Sequence, residues 1–180
     1  MAPAETARVF LALQPPAAVR AALVGHVAAC HWPADAAVYA PADWHLTLHF
    51  IGAVPRERLP ALCPGLAVDL QPFTLHLGEP ALWPHGLAVL LPESTPAALQ
   101  ALHAALGARL LDLGLPTDAR PYRPHLTLAR RAAQALPAGA PRCDWPVRSY
   151  VLMESTGQPE ARYRVLQHYG DPQFVGIGPA

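Results

Sequence analysis

The chain's apolar positions fall into two patterns. Apolar residues recurring every three or four positions predict helix; alternating or short unbroken apolar runs predict strand. Arg8 to Leu13 is a short apolar run and reads as a buried strand stopped by Pro15-Pro16. Ala17 to Cys30 carries Val19, Leu23 and Val27 at helical spacing. His26 and His31 fall near its end, where an imidazole interacts favourably with the helix dipole. Residues 31–43 read as a loop with a short extended piece at Ala37-Val38-Tyr39, leading to a strand from His45 to Gly52. A short helix is predicted over Arg56 to Leu66, opened by Pro55. Phe73 to Leu77 and Leu87 to Leu91 read as strands, with turn material at Gly78-Glu79-Pro80 and Trp83-Pro84-His85-Gly86. Thr95 to Leu113 is the clearest helix, with Leu99, Leu102, Leu106, Leu110 and Leu113 at three- and four-residue steps. Ser94-Thr95-Pro96 supplies a cap and a first-turn proline, and Gly114 a stop. His103 falls on its polar side and reads as solvated. A loop from Leu115 to Pro124 enters a second strand at His125. Val147 to Glu154 and Arg162 to His168 read as an antiparallel hairpin around Gly157.

Strands and helices in this order, with hairpins among them, point to an α+β fold with antiparallel sheets. Each half has a strand-helix-strand core of the ferredoxin-like sort. No linker separates the halves. They are expected to be interleaved lobes of one domain spanning residues 1–180.

Composition narrows the chemistry. The hydrophobic fraction is 52% against 14% charged, which opposes disorder. Thirteen basic residues balance thirteen acidic ones, so there is no global basic footprint for coating nucleic acid. Every basic residue is arginine; with no lysine, a lysyl-nucleotide intermediate, a Schiff base and a P-loop lysine are excluded. Cys30, Cys63 and Cys143 are odd in number and widely spaced, so neither a disulfide framework nor a Cys-x-x-Cys zinc pattern is visible. No basic, then apolar leader and no long apolar span occurs, so a soluble cytoplasmic protein is expected.

One tetrapeptide occurs twice: His45-Leu46-Thr47-Leu48 and His125-Leu126-Thr127-Leu128. In a strand, alternate side chains share a face. Each His therefore sits beside its Thr, and the leucines face the other way into a core. Two imidazoles on opposite sides of a phosphorus make an acid–base pair, because histidine titrates near neutrality. The threonine hydroxyls one step along can donate to non-bridging phosphate oxygens, where charge builds up. Arg130 is the best-placed arginine to add a charge-assisted contact. Strict alternation from His125 puts it on the opposite face, so its use needs a strand end, a bulge or a long reach. Alternation puts His49 on the His45 and Thr47 face, either as a third imidazole at the rim or as a solvated edge residue.

These motifs and their flanks resemble the two-histidine (2H) phosphoesterase superfamily, and more closely the bacterial and archaeal RNA 2′,3′-cyclic phosphodiesterases, also called 2′-5′ RNA ligases. The similar segments are Arg8-Val-Phe-Leu-Ala-Leu13, Trp44-His-Leu-Thr-Leu-His-Phe-Ile-Gly52, Phe73-Thr-Leu75, Arg120-Pro-Tyr-Arg-Pro-His-Leu-Thr-Leu-Ala-Arg130 and Arg162-Tyr-Arg-Val-Leu166. The resemblance implies a bilobal fold of two pseudo-symmetric antiparallel-sheet lobes with outer helices around a central cleft. It implies hydrolysis of an RNA 2′,3′-cyclic phosphate to a 2′-phosphate, without metal or nucleotide cofactor. By matching position, His45 is the proton donor to the leaving 3′ oxygen and His125 the acceptor from water. Thr47 and Thr127 carry over as phosphate-oxygen donors, and Arg130 as the arginine after the second motif. Phe50 and Tyr122 match aromatic positions, either of which can stack on the terminal base; core packing is the other reading for Phe50. The expected partner is RNA with cyclic-phosphate ends, or a small cyclic nucleotide, acted on by a monomer away from any membrane.

Three competing readings stand beside this one. A zinc hydrolase lacks its ligand spacing here. ATP-independent joining of a cyclic phosphate to a 5′-hydroxyl is the same chemistry with an alcohol in place of water. A non-catalytic RNA-end or nucleotide-binding module would leave both histidines and both threonines unused.

Overall fold

The computed structural model describes residues 5–171. Nine strands form one sheet, and every pairing is antiparallel. In chain order these are β1 (Thr6–Leu13), β2 (Ala37–Val38), β3 (Leu46–Pro55), β4 (Phe73–Trp83), β5 (Leu87–Pro92), β6 (Leu126–Arg130), β7 (Cys143–Val147), β8 (Ser149–Ser155) and β9 (Tyr163–Gly170). The helices are α1 (Ala17–Ala29), α2 (Leu59–Gly65) and α3 (Ala97–Asp112). No helix among the described residues is long and apolar enough to cross a membrane.

The spatial order is β7-β4-β5-β6-β3-β1-β8-β9, with β2 added beside β6. It is nearly palindromic about the β6–β3 junction: β6 answers β3, β5 answers β1, β4 answers β8 and β7 answers β9. One half contains the first and last described strands, so the halves interleave along the chain. They join at a single pair, Leu46 opposite Leu126, and the two strands diverge from there.

The main core lies between the sheet and the helices. Val19, Leu23 and Val27 of α1 and Leu99, Leu102, Leu106 and Leu110 of α3 are buried there against Leu11, Leu13, Leu46, Leu90 and Leu126. These are the positions the helical spacing marks, because a surface helix buries one stripe. A smaller cluster of Phe10, Ala12, Val151 and Met153 covers the opposite face of β1 and β8, with Tyr163 and Val165 packed against it.

Several elements differ from the sequence reading. β4 runs on through Gly78-Glu79-Pro80 to Trp83 instead of turning, because the register against β5 shifts between Leu77 and Glu79 and absorbs the glycine in a bulge. β7 was not predicted: Pro146 hides it, yet Cys143, Trp145 and Val147 alternate inward, and an edge strand tolerates proline. The strand predicted from Val147 to Glu154 is β8, which begins at Ser149; Val147 instead ends β7. α3 begins after Pro96, which stands at the N-cap with no side-chain cap. The short helix after Pro55 opens as a 3₁₀ turn over Arg56–Arg58 before α2.

Candidate active site

The two His-Leu-Thr-Leu copies occupy equivalent places, the first on β3 and the second on β6. Residues 45–50 and 125–130 share one burial sequence: half-buried, buried, half-buried, buried, buried, exposed. The leucines explain the buried positions. The shared departure from alternation at the fourth and fifth positions has a cause in the backbone. Against β1, Ala12 pairs with Thr47 and Leu11 with His49, so Leu48 is an extra residue. Against β5, Val89 pairs with Thr127 and Ala88 with Ala129, so Leu128 is an extra residue. Each motif thus carries a β-bulge at its last leucine, and a bulge moves every later side chain to the other face.

Two sequence expectations change as a result. His49 does not share the His45 and Thr47 face. It pairs with core-facing Leu11, is 5% exposed, and is neither a rim imidazole nor a solvated edge residue. Arg130, conversely, is returned to the Thr127 face, because the bulge supplies the shift its use required. Phe50 is the pseudo-symmetric counterpart of Arg130. It pairs with Phe10 on the site face, is 48% exposed, and carries the Arg8 guanidinium 4.9 Å from its ring centroid. It is not packed into the core. Gly52, at φ 90°, follows a second irregularity in β3, where Val9 pairs with Gly52 and Phe10 with Phe50.

Both motif histidines are held alike. His45 Nδ1 lies 2.8 Å from the Asp43 carbonyl oxygen, and His125 Nδ1 lies 2.7 Å from the Arg123 carbonyl oxygen. A carbonyl can only accept, so each Nδ1 carries the proton and donates it. That fixes the tautomer and leaves each Nε2 available to accept or deliver a second proton. His45 is packed by Phe10 (4.9 Å between centroids) and edge-on by Tyr163 (4.8 Å). His125 lies against Trp83 at 4.5 Å, and the Arg123 guanidinium lies 4.6 Å from a Trp83 ring centroid. Burial lowers the pKa of both imidazoles below the ordinary histidine value. The carbonyl hydrogen bonds oppose this, while His125 lowers His45 further and Arg123 lowers His125 further.

Tyr122 stands behind the cleft. One face of its ring stacks on His103 at 3.9 Å, its hydroxyl donates to the Thr47 carbonyl at 3.4 Å, and burial raises its pKa. His103 is therefore not solvated. It is sandwiched between Tyr122 and His49, whose ring stacks on it at 4.0 Å. His49 Nε2 donates to the His103 carbonyl at 2.8 Å. Gly107 makes room, since a Cβ there would sit 3.4 Å from His49 Cε1.

Sequence reasoning did not single out Phe10, Trp83, Tyr163 or Tyr39 for the site. Their contacts cross between strands far apart in the chain, and no local spacing signals them. Among the described residues, no three His, Cys, Asp or Glu side chains are grouped so as to hold a metal ion.

Two half-sites, each with an imidazole anchored through Nδ1 and a threonine on the same face, lie on adjoining strands. The family model of the 2′-5′ RNA ligase superfamily matches residues 15–158, and the chain belongs to that superfamily. It is 34% identical to the RNA 2′,3′-cyclic phosphodiesterase of Escherichia coli over 155 residues, covering 84% of this chain and 86% of that one. It is 32% identical to the protein of the same name from Thermus thermophilus, covering 90% and 89%. The crystal structure of E. coli LigT complexed with 3′-AMP superposes with a TM-score of 0.81 at 28% identity, covering 94% of this chain and all of that one.

Proposed function

We propose that this protein hydrolyses the 2′,3′-cyclic phosphate at an RNA end to a 2′-phosphate, using its two motif histidines and no metal. The observation that carries this is the duplicated half-site: two Nδ1-anchored histidines, each with a threonine on the same face, on strands that meet at Leu46–Leu126. The names of the relatives supply the substrate.

Neutral His125 takes a proton from water at Nε2 as the water oxygen bonds to phosphorus. The bond from phosphorus to O3′ breaks as protonated His45 delivers its Nε2 proton to that oxygen. Solvent then restores the two histidines. Thr47 and Thr127 donate to the non-bridging oxygens, Arg130 adds charge on the Thr127 side, and Phe50 offers an exposed ring for the terminal base. The role we assign to Tyr122 is to hold the Thr47 carbonyl, because His103 covers one face of its ring. All of these groups come from one chain, so a monomer suffices. The functional unit we propose is the chain 1–180 as one domain of two interleaved lobes. We place it in the cytoplasm, where three free cysteines remain reduced.

The test is product analysis on an oligonucleotide ending in a 2′,3′-cyclic phosphate. Hydrolysis to the 2′-phosphate is expected, undiminished by excess chelator. His45→Ala and His125→Ala should each lower kcat by about 10³-fold or more while leaving the circular dichroism spectrum unchanged. Near-normal turnover by either variant overturns the mechanism. A 3′-phosphate product overturns the assignment of the leaving oxygen.

A further inference from the structure

In an in-line displacement, the attacking oxygen and the leaving oxygen lie on opposite sides of phosphorus. With His45 protonating O3′, the terminal ribose lies on the His45 side. Any nucleotide preceding it, joined through the ribose 5′ oxygen, lies on that side as well.

Two guanidinium groups converge on one ring there. Arg162 Cζ lies 4.7 Å and Arg130 Cζ 6.0 Å from the centroid of Tyr39, which is itself buried and so makes a fixed platform. Arg162 enters from the turn before β9, next to Tyr163, whose ring packs edge-on against His45. Arg162 faces the Asp43 carboxylate and, with Arg130, the Tyr39 ring, so these groups share one corner of the cleft. Two positive charges against one carboxylate leave that corner positive. The pairing within it is loose. Arg162 Nε is 3.6 Å from Asp43 Oδ2, beyond hydrogen-bond reach, and this buried Nε has no hydrogen-bond partner. The rest of the side chain keeps 38% of its surface in solvent. A buried donor without an acceptor is uncommon, and here it leaves the Arg162 Nε–H open to one.

We infer that Arg162 forms a second anion subsite that takes the phosphodiester on the 5′ side of the terminal ribose. The protein is then tuned to RNA ends over cyclic mononucleotides. This rests on the function proposed above. Arginine suits the task because its fork of donors matches a phosphate in charge and shape. Arg162 has a second connection: the Asp43 it faces is the residue whose carbonyl holds His45 Nδ1. A purely structural role through Asp43 would disturb every substrate alike, whereas a phosphate contact is felt only by substrates that carry the phosphate.

The experiment compares three substrates: a mononucleoside 2′,3′-cyclic phosphate, a dinucleotide ending in the same cyclic phosphate, and that dinucleotide with a neutral methylphosphonate at the internal linkage. Wild-type protein should favour the dinucleotide over the mononucleotide in kcat/KM by about tenfold, the size of one charge-assisted hydrogen bond, and should lose that preference with the methylphosphonate. Arg162→Gln should turn over the mononucleotide within about twofold of wild type, confirming an intact site, and should treat the three substrates nearly alike, since the two changes remove the same contact. The inference is overturned if the dinucleotide has no advantage, if its advantage survives the methylphosphonate, or if Arg162→Gln lowers all three equally. Failure of the wild-type protein to hydrolyse any of the three instead overturns the proposed function.

Discussion

At the scale of single residues, the site is set by what fixes each reactive atom. A carbonyl two residues upstream pins Nδ1 of both His45 and His125, so the same neutral tautomer is present in each and Nε2 is the working nitrogen. The mechanism we propose needs one imidazole protonated and the other neutral. Burial lowers both pKa values below the usual 6.5. The protonated acid therefore becomes scarce as pH rises past neutrality, and protonation of the base shuts down the reaction further into acid. The pH profile of kcat/KM, which reports the free enzyme, should be bell-shaped with its maximum below about 6.5. A plateau extending to pH 8 would contradict paired acid–base work in these surroundings. The threonines make a separate prediction. Thr47→Val and Thr127→Val keep shape and lose a donor to oxygens whose charge grows in the transition state. Each should lower kcat by about 10- to 100-fold with little change in KM, and unchanged kcat would remove the hydroxyls from the mechanism.

At the scale of elements, the bulges explain what the sequence reveals and what it conceals. His45, Thr47, His125 and Thr127 precede the extra residues, so period-two reasoning reaches them and their leucine partners. The helical stripes are equally legible, because Leu99, Leu102, Leu106 and Leu110 obey one period throughout. Beyond Leu48 and Leu128 the period breaks, and nothing in the letters marks the break. His49 and Arg130 therefore exchange faces relative to strict alternation. The reward for burying His49 is a column of three rings, His49, His103 and Tyr122, tied to the backbone at the His103 and Thr47 carbonyls. Desolvation lowers the pKa of His49 and, with the neighbouring His49, that of His103 to about 4. The unfolded chain takes up protons at these positions near pH 6.5, while in the folded chain His49 resists protonation and His103 resists until close to pH 4. The unfolded state thus binds more protons in that window, and stability must fall as pH drops from about 6.5 to 4. His103→Phe keeps a ring in the stack but removes one titrating group. Urea midpoints should show it less sensitive than wild type to acid between pH 7 and 5. An unchanged slope would mean that other groups govern acid unfolding.

At the scale of the whole molecule, formal charge is balanced, with thirteen basic and thirteen acidic residues, yet four arginines stand over aromatic rings around the motif strands. Arg130 and Arg162 share Tyr39, Arg123 covers Trp83 and Arg8 covers Phe50. Such an arrangement creates a short-range field in the cleft without a basic surface to lead RNA into it. Contacts should therefore stop within a nucleotide or two of the end. For single strands, each phosphate neutralised contributes about −0.7 to the slope of log affinity against log salt. With the cyclic phosphate and one upstream phosphodiester engaged, log kcat/KM should fall with log[KCl] at a slope of roughly −1.4, provided chemistry is slow relative to substrate dissociation. That slope should be the same for a dinucleotide and for a ten-residue RNA carrying the same end. A slope that steepens with RNA length would show that the chain tracks the RNA backbone beyond the cleft. A slope near −0.7 for both substrates would mean that the cyclic phosphate alone is neutralised. The length-independent value between these results is what two arginine-bearing half-sites on a neutral protein should give.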